Sequence, residues 1–155
     1  MTLNTTSARS QAGEHLRLLE LCYRYAHLSG RRRAGIQLSS DEQGQLDSLA
    51  GLFEGDTGKR RRCRRFPLVL HALVKTPRGF CSAVVTDMSG AGMYLALCQD
   101  LAAGDTVQVR LGRPDEVDYL FTCDVVRVAT DLTGETTGVG LSYCCVPLEM
   151  RRRAA

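Results

Sequence analysis

Lys59–Arg65 reads KRRRCRR, six cations in seven residues, and an apolar run beginning FPLVL follows at once. Guanidinium groups present planar forks of donors that pair bidentately with phosphate and stack over flat rings. The chemistry this stretch suits is capture of an anionic, ring-bearing ligand. Arg61 and Arg65 are four apart, as are Arg60 and Arg64, and either pair can wrap around one ligand. About twenty residues later comes Asp87-Met88-Ser89-Gly90-Ala91-Gly92. The Asp87 carboxylate can accept two N–H donors at once, such as those on a guanine Watson–Crick edge. Ser89 adds a hydroxyl, and Gly90 and Gly92 let the backbone turn sharply or approach a ring closely. The two stretches together describe a site for a nucleotide with both phosphate and purine groups to satisfy.

Catalysis has little support. No histidine is placed in sequence to complete a triad with Asp87 and Ser89, and no phosphate-loop or dinucleotide fingerprint is present. The seven cysteines include no CxxC pair, and His15, His27 and His71 share no ligand spacing with them, so neither a metal nor a cofactor is expected. An odd cysteine count, mostly inside apolar runs and without a secretory leader, points to reduced thiols packed as small hydrophobes in a cytoplasmic protein. No apolar stretch is long enough to span a membrane.

The net charge of +3 conceals a strong asymmetry. Arg31–Arg33, Lys59–Arg65 and Arg151–Arg153 carry +12, which leaves the remainder at −9. Positive charge this local favours a specific anionic partner over sequence-blind contact with nucleic acid, whose broad polyanionic face the acidic remainder opposes.

The elements that must position these residues divide at the basic run. Residues 1–13 are polar and read as a disordered tail. From Glu14 to about Leu28 the apolar residues recur at helical spacing (Leu16, Leu19, Cys22, Tyr23, Ala26), with Gly30 as terminator. A second helix is announced by Ser39 as N-cap and Glu42 three residues on, a capping box, and Gly55 ends it. Two such helices cannot form a core alone and must pack on the following domain or on a partner. Beyond Phe66 the pattern is strands and turns: 66–76, 80–86, 93–97, 106–111, 117–128 and 138–145, with Pro147–Met150 as a terminal helical turn. Six short neighbouring strands without helical crossovers predict a mainly β fold, a six-stranded antiparallel β-barrel preceded by two N-terminal α-helices.

The spacing Arg61-x-x-x-Arg65, then Phe66-Pro67-Leu68, then Asp87-x-Ser89-x-x-Gly92, with the ending Gly138-Val139-Gly140-Leu141, resembles the PilZ domain, the small β-barrel receptor for the bacterial second messenger cyclic di-GMP. The resemblance covers residues 59–150, leaving 14–58 as a helical extension and 151–155 as a basic tail. It implies that Arg61 and Arg65 clamp phosphates and guanines from a segment folding over the barrel, and that Asp87, Ser89 and Gly92 line the surface around a guanine. It also implies that Arg60, immediately before the first motif arginine, selects a stacked pair of cyclic di-GMP molecules over a single one. With five arginines present, the register Arg60/Arg64 stays open beside Arg61/Arg65. The expected function is a receptor whose ligand pins the linker to the barrel, re-aims the helices and so signals to a protein partner, as a monomer or homodimer. The alternative is a degenerate scaffold module that binds protein without ligand.

Overall fold

The computed structural model describes residues 3–54, 63–96, 98, 100–112 and 117–151. Two helices, α1 (Leu3–Arg33) and α2 (Ser40–Phe53), precede seven strands: β1 (Phe66–Thr76), β2 (Gly79–Met88), β3 (Gly92–Ala96), β4 (Thr106–Gly112), β5 (Val117–Thr130), β6 (Thr136–Tyr143) and β7 (Leu148–Arg151). The strands pair antiparallel in the order β4-β1-β2-β3-β6-β5, and β4 pairs again with β5 to close the barrel. Closure removes the edges that a six-stranded open sheet would leave for aggregation. The expected mainly β barrel with two preceding helices is the observed fold.

Strict alternation sends Val107, Val109 and Leu111 of β4 inward, into the same core as Phe121 and Val125 of β5, all fully or nearly fully buried. His71 lies on the exposed face of β1. β7 replaces the expected helical turn at Pro147–Met150. The reason lies in the length of β5: β6 pairs only with Cys123–Thr130, so Val117–Leu120 would present free backbone groups, and Leu148–Arg151 covers them.

α1 begins at Leu3, not Glu14, so the segment 3–13 assigned to a disordered tail continues the helix; propagating an existing helix costs little once it is nucleated. It also runs past Gly30. Arg31–Arg33 form its last turn, where cations suit the negative end of the helix. The stop is Gly35 at φ +81, with Gly35 N–H donating to Arg32 O (3.1 Å) and Ile36 N–H to Arg31 O (3.0 Å), a Schellman closure. Gly30 serves another purpose: a Cβ there would lie 3.2 Å from Val146 Cγ2. α2 starts as the sequence predicts, with Glu42 N–H donating to Ser39 Oγ at 3.1 Å and Ser39 N–H donating to Glu42 Oε1 at 3.0 Å. Its last residue is Phe53, and the expected terminator Gly55 lies outside the described residues.

The helices cap the barrel and complete its core. Tyr23 stacks on Tyr119 with centroids 4.3 Å apart and meets Phe121 edge-on at 6.3 Å. Phe53 of α2 packs against Tyr25 of α1 (4.9 Å) and Phe66 of β1 (5.4 Å). Arg31 at the end of α1 forms an ion pair with Glu42 at the start of α2. Cys22, Cys98 and Cys123 are buried as expected, and burial pushes the Cys22 thiol up to about 12. Cys144 and Cys145 depart from the expectation of packed thiols, because β6 ends before them and leaves both exposed. Among the described residues no helix is long and apolar enough to cross a membrane.

Candidate ligand-binding site

The hairpin β2–β3 carries the loop Asp87–Gly92. Asp87 is the penultimate residue of β2, opposite Pro67 of β1 and Tyr94 of β3. Ser89 is 6% exposed, and its hydroxyl accepts the backbone N–H groups of Ala91 and Gly92, both at 3.1 Å. Its own N–H donates to Gly92 O at 2.9 Å. The Tyr143 hydroxyl reaches Ser89 O (3.1 Å) and Gly92 O (3.0 Å), so it locks the turn from the β6 side. Burial pushes that hydroxyl well above its ordinary pKa, which keeps the donor protonated. Ser89 therefore holds the loop's shape with its hydroxyl, at a position where the resemblance implies a surface lining a guanine.

Both glycines of the loop lie hard against neighbours. A Cβ on Gly92 would lie 2.0 Å from Leu141 O, inside the backbone of the adjoining strand. A Cβ on Gly90 would lie 2.3 Å from the Tyr25 ring, so Gly90 is where α1 rests on the loop. Tyr25 then donates its hydroxyl to Glu54, the residue capping α2. One side chain of α1 thus touches both the loop and the end of α2.

Beside the loop lies a cleft of about 290 Å³, lined by Arg65, Ser89, Gly92, Tyr94, Val126 and Arg127, with Gly140–Ser142 of β6 as its floor. Arg65 is exposed at the rim, held there because the neighbouring Arg64 N–H donates to Phe53 O at 2.7 Å. Of the residues expected at the site, the cleft brings together Arg65, Ser89 and Gly92. Asp87 sits one strand position before the turn and does not line the wall, and no donor among the described residues is hydrogen-bonded to its carboxylate. Arg60 and Arg61 lie outside the described residues.

Arg127, Val126 and Tyr94 are cleft residues that sequence reasoning missed. The register slips on β5: Val125 faces Leu141 while Arg127 faces Gly140, so Val126 is an extra residue in a bulge. The bulge turns Val126 and Arg127 outward together, and both are exposed. The signal in the sequence is the interrupted alternation of VVRV. Gly138 and Gly140 differ in kind. At Gly138 a Cβ would lie 2.3 Å from the Tyr94 hydroxyl oxygen, so a side chain there would push the Tyr94 ring aside. At Gly140 the nearest atom, Arg127 Cβ, is 3.6 Å away, so a side chain would fit the fold and would occupy the cleft. The result is a flat glycine floor between a tyrosine and an arginine, with a second arginine at the rim. Such a shape suits a planar base with an attached anion.

A scan against protein families matches residues 59–154 to the PilZ domain. The chain belongs to the PilZ domain family. PilZ domains are cyclic di-GMP-binding modules, and residues before 59 lie outside the match. Among solved structures one similar chain is the Bacillus subtilis Inhibitor of motility (MotI/DgrA), at 17% identity and TM-score 0.44, with 57% of this chain covered. This chain spans about half of that one (48%). No curated protein matches.

Proposed function

We propose that this PilZ protein is a cytoplasmic cyclic di-GMP receptor that holds a guanine-phosphate unit in the cleft between Arg65, Arg127 and the glycine floor of β6. The observation that carries the reading is the pairing of two arginines across an unfilled Gly140. The cleft, at about 290 Å³, is at the small end of ligand sites. It suits one base, so the rest of a cyclic dinucleotide would lie above it, within reach of the arginines that precede Arg65. Arg65 lines the cleft and Arg64 does not, which supports the register Arg61/Arg65. Arg60 is then the neighbour that selects two stacked ligand molecules.

Calorimetric titration with cyclic di-GMP tests this reading. Binding with two molecules per chain is expected, falling to one in Arg60→Ala. Gly140→Val is expected to keep the fold, since valine favours strands, and to abolish the heat of binding by filling the floor. Wild-type protein that gives no heat would overturn the reading. It would favour a ligand-independent scaffold, a role to which the exposed groove lined by Leu73, Phe80, Leu120 and Met150 is suited.

The packing bears on how a ligand would signal. Detaching α1 would expose Leu19, Tyr23, Tyr25 and Leu28. At about 1.5–3 kcal/mol for each large side chain, the cost is on the order of 6–12 kcal/mol. Moving a two-state equilibrium from 1:99 to 99:1 takes about 5.5 kcal/mol of differential binding. The ligand's effect therefore centres on the arginine segment and the end of α2, with α1 retained on the barrel. Hydrogen exchange is expected to slow across residues 55–66 on saturation with cyclic di-GMP and to stay unchanged in the buried turns of α1. Equal protection of 55–66 with and without ligand would rule this switch out.

A further inference from the structure

Cys81 and Cys98 lie seventeen positions apart in sequence, yet their sulfurs stand 2.8 Å apart. That is well inside the distance at which two unbonded sulfurs rest, though still longer than a formed bond of about 2.05 Å. Cys81 is half-buried on β2, open to a small oxidant, whereas Cys98 is 1% exposed. Desolvation, with hydrogen bonding to Cys81 as a lesser cause, pushes the Cys98 thiol up to about 12. The two thiols therefore have different parts: one is reachable, and the other is sheltered beside it.

We propose that Cys81 and Cys98 form a site of reversible oxidation to a disulfide, with a peroxide as the oxidant. The Cys81 thiolate attacks a peroxide oxygen and the O–O bond breaks. Cys81 becomes a sulfenic acid, and one water leaves when the departing oxygen takes up a proton. The Cys98 sulfur then displaces the hydroxyl of the sulfenic acid, a second water leaves with the Cys98 proton, and the S–S bond forms. Two thiols are oxidised by two electrons and one peroxide is reduced to two waters. The bond would join the start of β2 to the chain just beyond β3, closing the open end of the hairpin whose other end is Asp87–Gly92. Cys144 and Cys145 offer a contrast. Their sulfurs are 3.8 Å apart on adjacent residues, where a bond would demand a strained small ring.

Tryptic mapping after brief hydrogen peroxide treatment of the folded chain tests the proposal directly. Cleavage after Arg78 and Arg110 releases one peptide carrying Cys81 and Cys98 and no other cysteine. That peptide is expected two hydrogens lighter, refractory to alkylation, and still joined when the chain is cut at Asp87. Dithiothreitol should restore alkylation of both thiols, and thermal unfolding of the oxidised protein should move several degrees higher. In Cys81→Ser, circular dichroism should remain that of the folded protein and Cys98 should alkylate fully after peroxide. The proposal is overturned if both cysteines still alkylate in treated wild type, if Cys81 accumulates only as sulfinic or sulfonic acid, or if two hydrogens are lost from Cys81→Ser.

Discussion

Arg65→Ala is expected to weaken cyclic di-GMP binding by about ten- to a hundredfold, in line with the 1.5–3 kcal/mol of a charge-assisted hydrogen bond. The side chain is exposed at the cleft rim, so its removal leaves no cavity in the core and no buried partner orphaned. The loss should therefore appear in affinity without a change in the denaturation midpoint. Arg64→Ala is the matched control. Its backbone N–H holds Phe53 O and survives the substitution, and its side chain does not line the cleft. Calorimetry on the two variants separates a positioned arginine from general positive charge. If the two lose affinity equally, the linker acts only through its charge, and salt dependence would dominate binding.

The second large effect is on stability. Gly92→Ala places a carbon 2.0 Å from Leu141 O, and a backbone carbonyl in the middle of a ladder cannot withdraw without breaking the β3–β6 pairing. A loss of about 3 kcal/mol or more is expected in urea denaturation, within the range of severe core substitutions and enough to unfold a marginal domain. Gly90→Ala meets a side chain instead. The Tyr25 ring, 2.3 Å from the added carbon, can swing away at the cost of its own packing. In a Tyr25→Ala background the same change should become nearly harmless, so the double-mutant cycle should show strong coupling. Near-additive losses would mean that α1 does not rest on the loop through Tyr25. These results also caution against reading lost binding in Ser89 or Gly92 variants as lost ligand contact. Both residues build the turn, so Arg127 and Gly140 are the cleaner places to probe recognition.

Features governed by neighbouring residues could be read directly. The capping box is a local exchange between Ser39 and Glu42, and it forms where the residue types put it. The alternation of VQVRL likewise became a half-buried strand without correction. Features decided by distant packing were hidden. Gly30 resembles a helix stop, but Val146, far along the chain, needs the space that a side chain would fill. β7 exists because β5 outruns β6, a length mismatch that Pro147–Arg151 alone does not reveal. At the site, the arginine cluster and the Asp87–Gly92 loop stood out by composition. Arg127 did not, because a single arginine in a strand gains meaning only once a bulge turns it towards Gly140.

The short bond from Arg64 N–H to Phe53 O has a consequence for how binding could proceed in time. It ties Arg64, which precedes the cleft residue Arg65, to Phe53, the last residue of α2. Arg60 and Arg61 are four or five residues from Arg65, and at about 3.5 Å per extended residue they stay within roughly 18 Å of it. For a ligand already touching Arg65, their arrival is an intramolecular step at an effective concentration of millimolar or above. The first contact would then set the rate of capture, and the tethered arginines would set the residence time.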